Sequence, residues 1–240
     1  MNYTIYIESL NNFPIADWGV SALQGFRDKQ ANIVFFEEID EVPTSKYNIV
    51  VACIETTNKY LERFGMGPKM ALNIPEELNS SVWLQRKLFT NTLEHLNRSL
   101  LPLFIKPAGK AKEFVAGVVR NAKDMDLFFH HLPSETAILC SEVVEFVSEY
   151  RCYIINGEIK GVKHYIGDMF TFPDGDFMKR CVAAYKSAPS GYSMDFGVLK
   201  NGQTVLVECN DGWSLGNYGL DHSIYARLLS TRWLEIMKSF

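Results

Sequence analysis

No segment of the 240-residue chain is an uninterrupted apolar run long enough to cross a bilayer, which takes about 20 such residues in a row. No membrane partner is therefore expected. The opening stretch Met1–Glu8 also lacks the charged and apolar regions of a secretory leader. Positive charge is not in excess: 24 Lys and Arg stand against 28 Asp and Glu, a net charge of −4, which offers a nucleic-acid backbone little as a main partner. Cysteine is sparse and unpatterned. Cys53, Cys140, Cys152, Cys181 and Cys209 show no C-x-x-C spacing and mostly lie in apolar runs, as buried thiols do in a reducing, cytoplasmic compartment. A Walker loop, G-x-x-x-x-G-K-[ST], is absent, as are internal repeats and low-complexity tracts. What the chain does have is 47% hydrophobic residues, enough for a sizeable core in one large domain or two small ones.

The most informative stretch is Met194–Gly219. Two apolar runs flank Asn201-Gly202, a pair that supplies the two positive φ angles of a type I′ hairpin turn. A two-residue turn there sets Lys200 opposite Gln203, Val198 opposite Val205 and Asp195 opposite Glu208. Like charges facing each other across a sheet are destabilising, and alternation puts Asn210 on the face of Glu208. Two carboxylates and an amide oxygen make a hard site suited to Mg²⁺ or Mn²⁺. The plainer alternative is an exposed hairpin with solvated acids, but such a hairpin needs neither the Asn nor the trailing W-S-L-G-N-Y-G.

A second Asn-Gly pair, Asn156-Gly157, marks another hairpin. Its two-residue register pairs Ile154 with Ile159, Tyr153 with Lys160, Arg151 with Val162 and Glu149 with His164. Glu149, Arg151, Tyr153, Lys160 and His164 then line one face, with Tyr150 and Lys163 on the other. That polar face is either solvated or the wall of a cleft. Elsewhere, Thr4–Glu8, Asn32–Phe36 and Asn48–Ile54 read as strands with a helix over Trp18–Lys29, a small α/β layer. From Ser80 to Asn97 the spacing of Val82, Leu88, Phe89, Leu93 and Leu96 predicts a helix with Arg86 and Lys87 at its surface. Leu103–Pro107 and the run after Lys112 predict a hairpin carrying Lys106, Lys110 and Lys112, cations that suit polyphosphate oxygens or are simply solvated. A short helix is expected over Asp124–Leu132, a short helix or a loop over Phe177–Tyr185, and a C-terminal helix over Ser223–Phe240. Adjacent His130 and His131 diverge on a helix and receive no role.

Taken together, I-K-P at Ile105–Pro107, K-x-F-x-x-G at Lys112–Gly117, S-E-V-V-E-F-V-S-E-Y-R at Ser141–Arg151 and D-F-G-V-L…V-L-V-E-x-N-D-G at Asp195–Gly212 resemble the ATP-grasp superfamily, in particular a small divergent clade of compact, ligase-like members. The resemblance implies an α+β, ATP-grasp fold in which two α+β subdomains grip ATP, preceded by a small N-terminal α/β subdomain. The expected boundaries are 1–78 for the N-terminal part and 79–240 for the ATP-grasp domain, with a small subdomain near 100–141 and a large one near 142–240. It implies that Lys106 and Lys112 contact the phosphates, and that Glu142, Val143, Val144, Glu145, Phe146 and Val147 form the hinge that receives adenine. Glu149 would bind the ribose, and Asp195, Glu208 and Asn210 the Mg²⁺ or Mn²⁺ ions that bridge ATP. One departure stands out. The Arg that such members carry two residues before the metal Asp is Ser193 here, so Arg151 or Lys163 is expected to stabilise the acyl phosphate.

The activity this implies is ADP-forming ligation, with a small-molecule or peptide carboxylate activated by ATP and joined to an amine on an amino acid, peptide or protein. Phosphoryl transfer rests mainly on positioning and charge neutralisation, which agrees with a site rich in carboxylates, lysines and arginine. Two alternatives remain open at the level of sequence: a non-catalytic ATP-binding regulatory or interaction module, which the missing Arg favours, and a kinase-type phosphotransferase. Loss of Asp195 or Glu208 is expected to abolish turnover without unfolding the protein.

Overall fold

The computed structural model describes residues 3–67, 72–109 and 113–238, and their strands form three sheets of four. The first comprises β1 (Thr4–Leu10), β2 (Phe13–Pro14), β3 (Asn32–Phe36) and β4 (Asn48–Val51), with α1 (Asp17–Arg27) and α2 (Ile54–Glu62). Strands β3 and β4 flank β1 in parallel, and β2 folds back antiparallel on its end. The expected strand Asn48–Ile54 stops at Val51, because the chain turns there into α2. Glu8, at the end of β1, fixes that turn: its carboxylate accepts the Cys53 N–H at 2.7 Å and the Thr56 hydroxyl at 2.8 Å, supplying acceptors that the first turn of a helix lacks.

The middle layer contains α3 (Ser81–Leu84), β5 (Leu88–Thr92), β6 (Leu103–Pro107), β7 (Gly117–Val119), α4 (Ala122–Phe129) and β8 (Ala137–Glu142), with the antiparallel sheet ordered β5-β8-β6-β7. The helix predicted over residues 80–97 is therefore corrected to one turn followed by a strand. Gln85 closes α3 in the left-handed region, at φ 50°, and Thr90 and Thr92 are β-branched residues that fit a pleated strand. Of the apolar residues that mimicked one helix face, Val82 is exposed and the other four are divided between two cores. Leu88 packs with the cluster of Leu84, Cys152 and Phe196, whereas Phe89, Leu93 and Leu96 pack under the middle sheet.

The third layer contains β9 (Phe146–Ile155), β10 (Glu158–Gly167), α5 (Gly175–Ala184), β11 (Gly191–Leu199), β12 (Thr204–Asp211) and α6 (His222–Met237), with the large antiparallel sheet ordered β10-β9-β11-β12. One face of this sheet carries Cys152, Ile154, Met194 and Phe196 against α5. On the other face Tyr153 and Ile155 join Trp233 of α6 and the N-terminal sheet in a single core. Trp233 ties the two layers by donating its indole N–H to the Asn48 carbonyl at 2.6 Å. Arg232 grips Asp211 through Nε and Nη2, both at 2.6 Å, and so fixes α6 to the end of β12.

The Asn156-Gly157 turn is the two-residue one expected, with both residues at positive φ and Ile154 opposite Ile159, but further on both hairpins leave the simple register, and the departures decide which side chains share a face. At Asn201-Gly202 only Gly202 takes positive φ, at 82°. Leu199 and Gln203 close a three-residue loop, with Leu199 N–H to Gln203 O at 2.9 Å and Gly202 N–H to Leu199 O at 2.8 Å. The Asn201 side chain accepts the Gln203 N–H at 3.0 Å, a local bond that competes with the I′ geometry. The loop shifts Phe196 opposite Leu206, but one extra residue, Val207, restores Asp195 opposite Glu208. In the β9–β10 hairpin, an irregularity at Lys160 brings Lys163 opposite Arg151 and His164 opposite Tyr150, and a second at Tyr165 sets Ile166 opposite Glu149. Lys163 thus shares the face of Arg151, and His164 leaves it, the reverse of the two-residue register.

Candidate functional site

A single rung crosses the large sheet as Lys163 (β10), Arg151 (β9), Asp195 (β11) and Glu208 (β12). Each of these side chains is on one face because facing residues in a ladder point the same way. Asp195 is 1% exposed and Arg151 8%, and they meet in a fork, Nε to Oδ1 at 2.8 Å and Nη2 to Oδ2 at 2.7 Å. Glu208 accepts from Lys106 Nζ at 2.7 Å, so β6 of the middle sheet reaches across to β12. Asn210, one step along, donates Nδ2 to Glu208 Oε1 at 3.1 Å and to Asp195 Oδ2 at 3.3 Å. The three expected oxygen-bearing side chains therefore converge, with Arg151 balancing the charge of Asp195 and Lys106 that of Glu208.

Burial and charge oppose each other here. Burial pushes the Asp195 carboxyl up to about 6 against the pull of Arg151. Burial also works to raise Glu208, but Lys106 and the Asn210 amide outweigh it and hold the carboxyl below its ordinary value. Glu149 goes the other way: burial raises it, with the Tyr165 hydroxyl, bonded at 2.7 Å, opposing.

Between the middle and large sheets lies a cleft of about 480 Å³ that Lys106, Glu208, Glu149, Glu142, Val143, Val144 and Phe146 line. The β8–β9 connection crosses its mouth. Among the described residues, no hydrogen bond engages the backbone groups of Val143, Val144 or Glu145. The Glu142 carboxylate accepts the Lys87 N–H at 2.9 Å. Phe146 lies against β11, where only a glycine fits: a Cβ on Gly197 would be 2.4 Å from its ring. Glu145 points to solvent, paired with Lys200, and Val147 uses its carbonyl on the Asp168 N–H at 2.9 Å; neither lines the cleft. Lys163 is half-buried on its rung and makes no ion pair among the described residues. Lys110 and Lys112 fall outside the described residues. Past Lys106, Glu208 and Asn210 the cleft opens into a wider groove of about 1260 Å³ beside Ile54, Asn73, Phe114 and Phe128.

Sequence reasoning missed three residues. Arg86, assigned to a surface, lines the cleft and hydrogen-bonds both sheets. Tyr165 bonds Glu149 and stacks on Tyr218, ring centroids 5.1 Å apart at 15°. Tyr218 in turn covers Arg151, whose guanidinium carbon is 4.8 Å from the ring centroid. The Gly-rich segment Asp211–Gly219 was a visible signal for Tyr218. Its Gly216 and Asn217 carbonyls accept the buried Tyr153 hydroxyl at 2.7 and 2.6 Å, which pins the loop and holds Tyr218 at a left-handed φ of 45°.

The donor set suits a hard divalent cation. Among the described residues no group of three or more His, Cys, Asp and Glu is placed to hold a metal, so the set depends on the Asn210 amide. Turned about its bond, that amide presents oxygen to the point where Glu208 and Asp195 meet. A carboxylate has about four lone-pair sites, so the fork with Arg151 does not exhaust Asp195.

Residues 83–228 match the model of an ATP-grasp domain, R-2-K clade family 2. Solved structures share the fold across nearly the whole chain. The D-alanine–D-alanine ligase of Bacillus anthracis aligns over 100% of this chain and 99% of its own, with 12% identity and a TM-score of 0.61; the same enzyme complexed with ATP gives 0.59 at 12% identity, over 100% and 99%. D-cycloserine synthetase DcsG aligns over 98% and 100%, with 9% identity and a TM-score of 0.65. No match is found among curated proteins.

Proposed function

The chain belongs to the R-2-K clade of ATP-grasp domains, family 2, and from that premise we propose that it is an ADP-forming ligase that joins a carboxylate to an amine. The observation that carries the reading is the convergence of Asp195, Glu208 and Asn210 with Arg151 and Lys106, where Lys106 and Glu208 line both the cleft between two antiparallel sheets and the wider groove beyond it, and Asn210 lines the groove. In this reading adenine takes the backbone groups of the Glu142–Val147 connection, where Val143 and Val144 line the cleft. Glu149 accepts the ribose hydroxyls, and Lys106, with Lys112, holds phosphate oxygens. Glu208, Asn210 and Asp195 hold Mg²⁺ or Mn²⁺, which when bound supplies positive charge against the phosphates.

The substrate carboxylate attacks the γ-phosphorus, the bond to ADP breaks, and an acyl phosphate forms. An amine then attacks the acyl carbon, phosphate leaves, and the nitrogen gives up a proton. What the chain contributes is position and charge. Arg151, always protonated, is held rigid by Asp195 and Tyr218 and supplies, on the neighbouring strand, the cation that Ser193 does not; Lys163 stands next to it on the same rung. The wide groove beyond Asn210 receives the carboxylate and amine substrates.

The test is to incubate the protein with Mg·ATP, hydroxylamine and pools of amino-acid and peptide carboxylates. Hydroxamate and ADP in equal amounts support the ligase. ATP bound but unconsumed supports a regulatory or interaction module instead, and a phosphorylated acceptor without hydroxamate supports a kinase-type transfer.

A further inference from the structure

The extra residue Val207 is what puts Glu208 and Asn210 on the face of Asp195. The three-residue loop alone leaves β12 one position out of step, and a one-residue slip sends every side chain to the opposite face of a sheet. A bulge also leaves backbone carbonyls without ladder partners. Those of Leu206 and Val207 are taken by one side chain: Arg86 donates Nη1 to Leu206 O and Nη2 to Val207 O, both at 2.8 Å. The same guanidinium donates Nη1 to Leu84 O at 3.2 Å and Nε to Ser141 Oγ at 3.1 Å. It thus joins the end of α3 and strand β8 to β12 across the closed side of the cleft.

We propose that Arg86 is a positioning residue: its planar fork holds the Val207 bulge and thereby sets Glu208 and Asn210 where a cation needs them. The staple itself stands on the hydrogen bonds; its consequence for metal binding rests on the functional reading above. Burial lowers the Arg86 pKa to about 10, with Glu149 and Glu208 opposing, so the guanidinium keeps all its donors at neutral pH. A lysine has the charge but no rigid fork to reach two successive carbonyls.

Two measurements on Arg86→Lys and Arg86→Ala, beside Glu208→Gln, test this. The first is amide hydrogen exchange without ligands. Both Arg86 variants are expected to speed exchange across residues 204–210 while the β9–β10 hairpin keeps its protection; unchanged exchange in both overturns the staple, whatever the protein's activity. The second is Mn²⁺ binding in the presence of ATP, followed by electron paramagnetic resonance. Groups that orient metal ligands cost roughly 10–100-fold in metal affinity when lost, and a loss of that size is expected in both Arg86 variants, with millimolar guanidinium restoring Arg86→Ala but not Glu208→Gln. Wild-type affinity in Arg86→Lys overturns the role of the fork and leaves only that of charge. If wild-type protein binds no Mn²⁺ with ATP while the exchange result holds, the functional reading falls and the staple stands.

Discussion

Arg151 and Asp195 face each other across β9 and β11 and share a two-bond fork inside the protein, with Nε–Oδ1 at 2.8 Å and Nη2–Oδ2 at 2.7 Å. That pairing changes what substitutions at the site do. Asp195→Ala leaves a buried guanidinium without its partner, and breaking a buried pair costs about 3–5 kcal/mol. Asp195→Ala is therefore expected to lower stability as well as turnover, contrary to the expectation from sequence, and urea unfolding measures it. Glu208→Gln is expected to abolish turnover with little change in stability, since Glu208 is partly exposed and its partner Lys106 is a flexible chain.

Tyr218 holds a strained backbone to keep its ring over Arg151. Tyr218→Phe is expected to keep activity, because the contact is made by the ring. Tyr218→Gly relieves the left-handed strain but removes a cation–π contact worth about 1–2 kcal/mol to the fold, so the melting temperature is expected to hold or fall slightly, while turnover is expected to fall because Arg151 loses the ring that orients it. Steady-state kinetics with thermal melts separates the two effects.

Glu149 gives a pH dependence with a defined sign. Its carboxyl is raised above 4.5, first by burial and also by the charge of Glu208. A group whose folded pKa is raised contributes stability that is full below 4.5 and lost as pH rises through the folded value. Glu149→Gln is thus expected to stabilise the nucleotide-free protein at pH 7.5, with the gain vanishing near pH 4. It is also expected to weaken ATP binding at neutral pH by the value of a hydrogen bond to a charged group, about 1.5–3 kcal/mol. Melts against pH and calorimetric titration with ATP check both halves.

The sheets were legible where a short-range signal existed. Asn-Gly pairs marked both hairpins, the apolar N-I-V-V run marked a buried strand, and the acid pair Asp195–Glu208 was placed correctly. It was placed correctly through two compensating departures, a longer loop and a bulge, neither of which alternation reveals. The irregularity at Lys160 in β10 has the same character: it moves Lys163 onto the site and His164 off it. Arg86 was invisible for a different reason. Three of its four hydrogen-bond partners lie 55, 120 and 121 residues away, and spacing of neighbours says nothing about such contacts. The strand β5 was hidden because its apolar residues serve two cores, which in sequence looks like one helical face.

The central claim, that a nucleotide sits between the middle and large sheets, is tested most directly by photolabelling with 8-azido-ATP and mapping the modified peptide by mass spectrometry. Label on residues 142–147, competed by ATP, is the predicted result. Label confined to the groove beside Tyr3, Tyr47 and Leu234 on the far side of the molecule, with the 142–147 connection unmodified, would contradict it.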